Sequence, residues 1–219
     1  MRLMVYDTES TGCKDSQICQ IAWLIVDGAH VTGAQRYFTV DDMNPAAERV
    51  HGLSMSALEQ LSGGARFADS ARALRDVFDS CDLIVGHNVA ADQKAVATEF
   101  DRLGLQMPKK DTLCTMNAFT RVVGLTHPGG GKRLKPPKLS ELSAYYGLTE
   151  EIIARTAAVW FGGGAQAHDA RYDAAATWMC LREGLMRGDV SLRTTHHTTA
   201  KRVVNSRPRR RSAGKESKP

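Results

Sequence analysis

The segment Ile18-Cys19-Gln20-Ile21-Ala22-Trp23-Leu24-Ile25-Val26 limits the possible folds more than any other stretch of the chain. It is rich in β-branched residues and reads as one long strand. Its uninterrupted apolar part runs only from Ile21 to Val26, against the roughly 20 residues that a membrane helix needs. Leu3-Met4-Val5-Tyr6 marks a strand over residues 2–8. Asp27-Gly28 is a tight-turn signal, and Gln35-Arg36-Tyr37-Phe38-Thr39-Val40 fits a third strand. Two or three antiparallel strands are therefore expected at the N-terminus.

After Pro45 the apolar period changes from two to between three and four. Ser54 is placed to cap a short helix ending near Leu61, and Phe67, Ala71, Leu74 and Phe78 predict a helix over 67–79. Asp82-Leu83-Ile84-Val85-Gly86 reads as a buried strand, followed by a helix over 90–104, a brief strand over 111–113 and a helix ending near 123. Residues 124–138 contain Pro128, Gly129-Gly130-Gly131, Pro136 and Pro137, a composition that leaves only a loop. Helical patterns resume over 139–147 and 169–187, with Gly162-Gly163-Gly164 between them. Strands first and alternating strand and helix afterwards predict an α/β domain over 1–187, a mixed sheet flanked by helices. The 219 residues, with 42% apolar and 24% charged side chains, exclude a wholly disordered or fibrous chain. The five cysteines form no CxxC pair. Reduced thiols in a cytoplasmic setting are expected, without a disulfide framework or zinc knuckle. No secretory signal is expected, because strand-like residues and Asp7 follow Met1 almost at once.

Four acids fall where the patterns put buried faces. Asp7 and Glu9 are two apart at the end of the first strand, on the side of Leu3 and Val5. Asp92 sits in the first turn of its helix, on the stripe of Ala95, Val96, Phe100 and Leu103. Asp173 shares a face with Ala170, Thr177 and Leu181, on a helix thinned by Ala174, Ala175 and Ala176. Singly, each acid suits a helix dipole, a turn cap or a solvated face. Together they require a counter-charge, since two like charges 4 Å apart repel by roughly 4 kcal/mol at an effective dielectric near 20. Hard divalent cations bound through oxygen supply one. His168, just ahead of the last helix, is the candidate base, with an ordinary pKa of about 6.5 suited to proton removal near neutrality. His87 directly follows a buried strand and is expected to make a structural hydrogen bond.

Asp7-Thr8-Glu9-Ser10-Thr11-Gly12, Gly86-His87-Asn88-Val89-Ala90-Ala91-Asp92 and His168-Asp169-Ala170-Arg171-Tyr172-Asp173 occur in that order. They resemble the three motifs of the DEDDh 3′–5′ exonucleases, the DnaQ-like and RNase T-like family of the ribonuclease H-like superfamily. Val50-His51-Gly52-Leu53-Ser54, Asp111-Thr112-Leu113-Cys114 and Lys138-Leu139-Ser140-Glu141-Leu142 agree with it. The resemblance implies a ribonuclease H-like mixed sheet and two Mg²⁺ or Mn²⁺ ions. It matches Asp7, Glu9, Asp92 and Asp173 to the metal-binding acids and His168 to the general base acting on the attacking water. Thr8, Glu9, Thr11, Gly12, His51 and Asn88 become candidate substrate-binding residues. The implied reaction removes nucleoside 5′-monophosphates one at a time from a 3′ end. Two positions depart from the family: Ala91 replaces a common aromatic, and Cys13 a larger apolar residue that wedges against the terminal bases. With 6% aromatic residues overall, base stacking looks thin.

The expected substrate is a single-stranded or frayed 3′ end, DNA in preference to RNA, in proofreading or repair and with a DNA polymerase as a conceivable partner; no membrane is involved. An enzyme trimming RNA 3′ ends and a nucleic-acid-binding scaffold without catalysis are the alternatives, the second weakened by the presence of all four acids and His168. Charge is divided unevenly. His196 to Pro219 holds eight Lys or Arg against Glu216 alone, leaving 21 bases and 23 acids elsewhere. Residues 188–219 are expected to form a disordered basic tail. That tail and the bases Lys132, Arg133, Lys135 and Lys138 are the candidates for holding phosphates. Deleting 196–219 is expected to weaken nucleic-acid binding and flatten its dependence on log salt by about 0.7–0.9 for each phosphate that the tail neutralises; an unchanged slope in a filter-binding titration would show that the tail never meets the substrate.

Overall fold

The structure, a computed structural model, describes residues 1–128 and 132–192. The basic segment from 193 onward and the glycines at 129–131 lie outside the described residues. Among the described residues, five strands form one sheet: β1 (Arg2–Ser10), β2 (Ile18–Asp27), β3 (His30–Tyr37), β4 (Leu83–Gly86) and β5 (Asp111–Cys114), in the order β3-β2-β1-β4-β5. β1–β3 are antiparallel, while β4 and β5 run parallel to β1. Nine helices surround the sheet among the described residues: α1 (Pro45–His51), α2 (Met55–Ser62), α3 (Phe67–Asp79), α4 (Val89–Arg102), α5 (Thr115–Ala118), α6 (Thr120–Val123), α7 (Leu139–Tyr145), α8 (Glu150–Phe161) and α9 (Ala170–Arg187). The expected mixed sheet with flanking helices is the architecture found.

Alternation along β1 builds two cores. Leu3 and Val5 join Leu24, Val26, Leu83 and Val85 under α7, α8 and α9. Met4 and Tyr6 join Ile21, Trp23 and Ile84 under α3 and α4. β2 is buried over almost its whole length because both layers cover it. That explains why its sequence is nearly continuous in apolar residues rather than alternating.

Three elements differ from the sequence reading. β3 begins at His30, since Asp27 pairs with His30 across a two-residue turn, so it lies five residues earlier than the segment 35–40. Pro45 opens α1 behind the Asn44 cap, whose Oδ1 accepts from the Ala46 N–H at 2.8 Å. Thr149 starts α8, its Oγ1 accepting from the Ile152 N–H at 3.3 Å, in a stretch where the sequence reading expects no helix. Gly33 accounts for two of these differences. A Cβ there would stand 2.5 Å from the Trp160 carbonyl oxygen, so α8 approaches β3 across a strand glycine that otherwise looks like a breaker. Gly33→Val is expected to cost about 1–3 kcal/mol through overpacking, read as a lower urea midpoint at unchanged m-value.

Candidate active site

The site grows from the unequal lengths of β1 and β4. β4 pairs with β1 only from Leu3 to Val5, so β1 runs on toward Ser10 without a parallel neighbour. The β4–α4 turn passes through Asn88 at φ 73° and brings the first turn of α4 to that open edge. There Asp92, 7% exposed, accepts from the Thr8 N–H at 3.1 Å and from the Thr8 hydroxyl at 2.7 Å. The strand edge left by β4 is thus completed by a carboxylate.

On the other side of the sheet, Asp7 and Glu9 continue the Leu3 and Val5 face toward α9. Ala170, Ala174, Ala175 and Ala176 are all buried, and with so little side-chain bulk α9 lies close over β1 and β2. Asp173, in its first turn, meets the two strand acids. One carboxylate oxygen from each of Asp7, Glu9 and Asp173 lies within 4.8 Å of the others, and all three residues are half-buried. Asp92 approaches from the opposite layer and stays outside that oxygen triangle. His168, exposed and in the left-handed region at φ 64°, immediately precedes the helix cap.

A clamp missed in the sequence fixes this end of α9. Gln20, wholly buried in β2 opposite Glu9, donates to Asp169 Oδ1 at 2.8 Å and accepts the Ala170 N–H at 3.1 Å. Asp169 caps α9 through the Arg171 N–H at 3.0 Å and pairs with the Arg171 guanidinium at 2.6 Å. A signal for it exists: Gln20 is the single polar residue of the apolar stretch 18–26.

The candidate substrate residues divide. Thr8 is engaged by Asp92 and Glu9 stands among the acids. Thr11 is fully buried: its hydroxyl accepts from the Gln17 N–H at 3.2 Å and its carbonyl from the Asn44 N–H at 2.9 Å. Its side chain therefore braces the loop instead of facing a ligand. Gly12, at φ 65°, packs against α1, where a Cβ would lie 3.0 Å from that of Ala47. His51 is buried; its Nδ1 accepts from the Leu53 N–H at 3.0 Å, which puts the proton of the neutral ring on Nε2, unpaired among the described residues. Asn88 is exposed and lines a separate cleft of about 740 Å³ beside β5. His87 behaves as expected, with Nδ1 2.9 Å from the Thr115 hydroxyl and Nε2 3.1 Å from the Pro137 carbonyl. Of the loop bases, Lys135 is held by Glu141 at 2.6 Å.

Burial and mutual repulsion govern the acids. Asp7 is raised well above the ordinary carboxyl range by burial, then by Asp92, Asp173, Glu9 and Asp169. Glu9 is pushed up to about 8 by burial, then by Asp173, Asp169 and Asp92. Asp173 rises to about 7, chiefly through burial, with the His168 backbone amide pulling it back. Asp92 rises only to about 6, because its hydrogen bonds from Thr8 oppose the burial. An all-oxygen donor set of this charge suits a hard divalent cation.

A family model described as exonuclease matches residues 4–180, and the chain belongs to that exonuclease family. The resemblance read from its motifs is borne out, and the chain is accordingly a nuclease. No curated protein matches the sequence. Among solved structures, E. coli exonuclease I in complex with a dA16 oligonucleotide aligns with TM-score 0.61 at 17% identity, over 84% of this chain and 41% of that one. The metal-free E. coli exonuclease I–ssDNA complex gives 0.64 at 16%, over 85% and 40%. A moderately thermophilic exonuclease I from Methylocaldum szegediense gives 0.61 at 18%, over 85% and 40%. The chain therefore spans about 40% of the length of these proteins, and at such identities the likeness is one of fold. Among the described residues, no helix is long and apolar enough to cross a membrane.

The raised acids set a pH dependence of stability. Between an unfolded carboxyl pKa near 4 and the folded values of about 6 to 8, the folded chain holds protons that the unfolded chain has lost. Stability without metal therefore declines as pH rises through that window. Mg²⁺ or Mn²⁺ is expected to raise the melting temperature more at pH 8 than at pH 5. Asp7→Asn is expected to raise the metal-free value at pH 8. Calorimetric melts of the two proteins at both pH values test this, and a metal effect independent of pH would contradict it.

Proposed function

We propose that this protein is a metal-dependent 3′–5′ exonuclease that removes nucleoside 5′-monophosphates from DNA 3′ ends. The observation that carries the proposal is the meeting of Asp7, Glu9 and Asp173 within 4.8 Å, with no basic side chain pairing with any of them among the described residues. Asp7, Glu9 and Asp173 would hold one ion, and Asp7 with Asp92 the second. Bound there, two Mg²⁺ or Mn²⁺ ions supply positive charge to the scissile phosphate and favour ionisation of an attacking water.

The chain's own groups do the rest. His168, at the exposed rim beside Asp173, accepts the proton of the attacking water. Its backbone adjoins the Gln20–Asp169 clamp and its amide reaches Asp173, which puts the residue at the acids' rim. The backbone around Thr8 and Glu9 receives the terminal ribose and its 3′-hydroxyl. Gly12, packed against Ala47 of α1, holds the loop that borders the last nucleotide, and the buried Nε2–H of His51 is a donor without a partner among the described residues. Thr11 contributes by holding the loop, and Asn88 by turning the chain into α4 so that Asp92 reaches Thr8. The preference for DNA draws support from the solved relatives, which carry dA16 and dT13 oligonucleotides. Work in the cytoplasm on frayed or single-stranded ends, alone or beside a DNA polymerase, follows from this reading.

Purified protein incubated with 5′-labelled single-stranded DNA or RNA, with Mg²⁺, Mn²⁺ or EDTA, tests it. Metal-dependent shortening from the 3′ end with release of 5′-mononucleotides, faster on DNA, is expected. His168→Ala is expected to lower kcat by about 10²–10⁴-fold, and Asp7→Ala to abolish turnover. Faster cleavage of RNA would reassign the substrate, whereas salt-sensitive retention without cleavage would replace the enzyme by a binding scaffold.

A further inference from the structure

Residues 162–168 connect the end of α8 at Phe161 to Asp169, the cap of α9, and carry His168 at their far end. The segment opens on Gly162-Gly163-Gly164, with Gly162 at φ 75° and Gly163 at φ 70°, and closes on His168 at φ 64°. Glycine gives up more conformational freedom on folding than any other residue, so such a stretch keeps one course only where something outside it holds it. Apolar burial contributes little here: Ala165 is half-buried against the core and the rest of the segment is exposed. Arg171, in the first turn of α9, supplies the hold. It donates from Nη2 to the Gly164 carbonyl at 2.8 Å and from Nη1 to the Gly162 carbonyl at 3.4 Å. The same guanidinium donates to Asp169 from Nε at 2.9 Å and from Nη2 at 2.6 Å. A rigid fork of five N–H groups meets a carboxylate edge and two carbonyls together, which the compact ammonium of a lysine does not.

Resting on the exonuclease reading above, in which His168 accepts the proton, we propose that Arg171 is a positioning residue for that base. Its guanidinium ties the start of the 162–168 segment to the cap that follows the segment, and so fixes where the imidazole stands relative to Asp173. The tie closes a ring. On one side are the Gly162 and Gly164 carbonyls; on the other is Asp169, which follows His168 directly and is docked on β2 by Gln20 at 2.8 Å. Without the fork, two weaker restraints remain among the described residues. The Asp169 N–H donates to the Gln166 carbonyl at 3.0 Å, and the His168 amide reaches toward Asp173. Neutralising Asp169 does not by itself call for bonds to two carbonyls, so those bonds serve the segment. The segment's one titratable side chain is His168. None of Thr8 to Gly12 lies in it, so its loosening bears on the proton transfer and not on the hold upon the terminal nucleotide.

The test uses the full-length protein, a single-stranded DNA oligonucleotide and two substitutions, each made alone and together with His168→Ala. Arg171→Met removes the charge and every donor, whereas Arg171→Lys keeps a charge for Asp169 and loses the fork. Circular dichroism melts establish that each variant folds. Both substitutions are expected to lower kcat by about 10–100-fold, as a misplaced catalytic group does, with KM within about twofold of the wild type. Added to His168→Ala, neither is expected to lower kcat by more than about a further twofold, since a residue acting through the base has nothing left to lose. In the metal-free proteins, backbone amide order parameters at Gly163, Gly164 and His168 are expected to fall from about 0.85 to below about 0.6 in both variants. Wild-type kcat or unchanged order parameters in Arg171→Lys overturn the proposal. So do a loss that persists in full without His168, and a failure of both variants to fold, each of which makes Arg171 a structural residue. Absence of 5′-mononucleotide release by the wild type is a different result: it removes the exonuclease reading, and the positioning role falls with it.

Discussion

Carboxylates crowded at the end of one strand are the constraint around which this structure is arranged. At 4.8 Å, each fully ionised pair among Asp7, Glu9 and Asp173 costs about 3 kcal/mol at an effective dielectric near 20. A surface loop carrying those acids would simply spread apart. Here they cannot spread, because Asp7 and Glu9 are fixed by the β1–β2 ladder and Asp173 by α9. The ladder continues through Glu9 opposite Gln20, and the same Gln20 docks the start of α9. One buried amide therefore ties the two sources of charge to each other.

Asp169 and Asp173 show how neighbouring acids on one helix come to do different work. They are four residues apart and both raise the pKa of Glu9 and Asp7. Asp169 has its charge met by Arg171 and its oxygens occupied by Gln20 and a helix N–H. Asp173 has no such base among the described residues. An acid with a full set of protein partners is structural, and an acid kept near others without a base is available to a cation. That distinction needs coordinates, since His168-Asp169-Ala170-Arg171-Tyr172-Asp173 places both acids in one motif.

The strands, the helix at 67–79 and the family are legible because their signals are local: period, capping residues and motif order. The convergence of the acids can be argued from sequence only through charge, and the coordinates bring three of the four oxygens together while leaving Asp92 on Thr8. What the sequence does not disclose depends on partners remote in the chain. β3 reads too late because Gly33 resembles a break until Trp160 lies across it. α8 escapes the sequence reading although Thr149-Glu150-Glu151 is a sound helix start. A cleft beside His168 joins residues from 87 to 173 and has no motif of its own.

The helices themselves offset part of the repulsion. α4 and α9 both begin at the acids, with Asp92 and Asp173 in their first turns. A helix N-terminus stabilises a nearby anion by about 0.3–1 kcal/mol, and somewhat more when partly buried. The two hydrogen bonds from Thr8 add to this for Asp92 alone, which agrees with its pKa rising least among the four. Against several pairs at about 3 kcal/mol each, two dipoles are too weak. The balance is restored either by protons, which the raised pKa values record, or by divalent cations once the solution is neutral. A fold that holds these acids together at neutral pH is thus built for a charge that its own side chains do not provide, and the space between the end of β1 and the start of α9 is where that charge belongs.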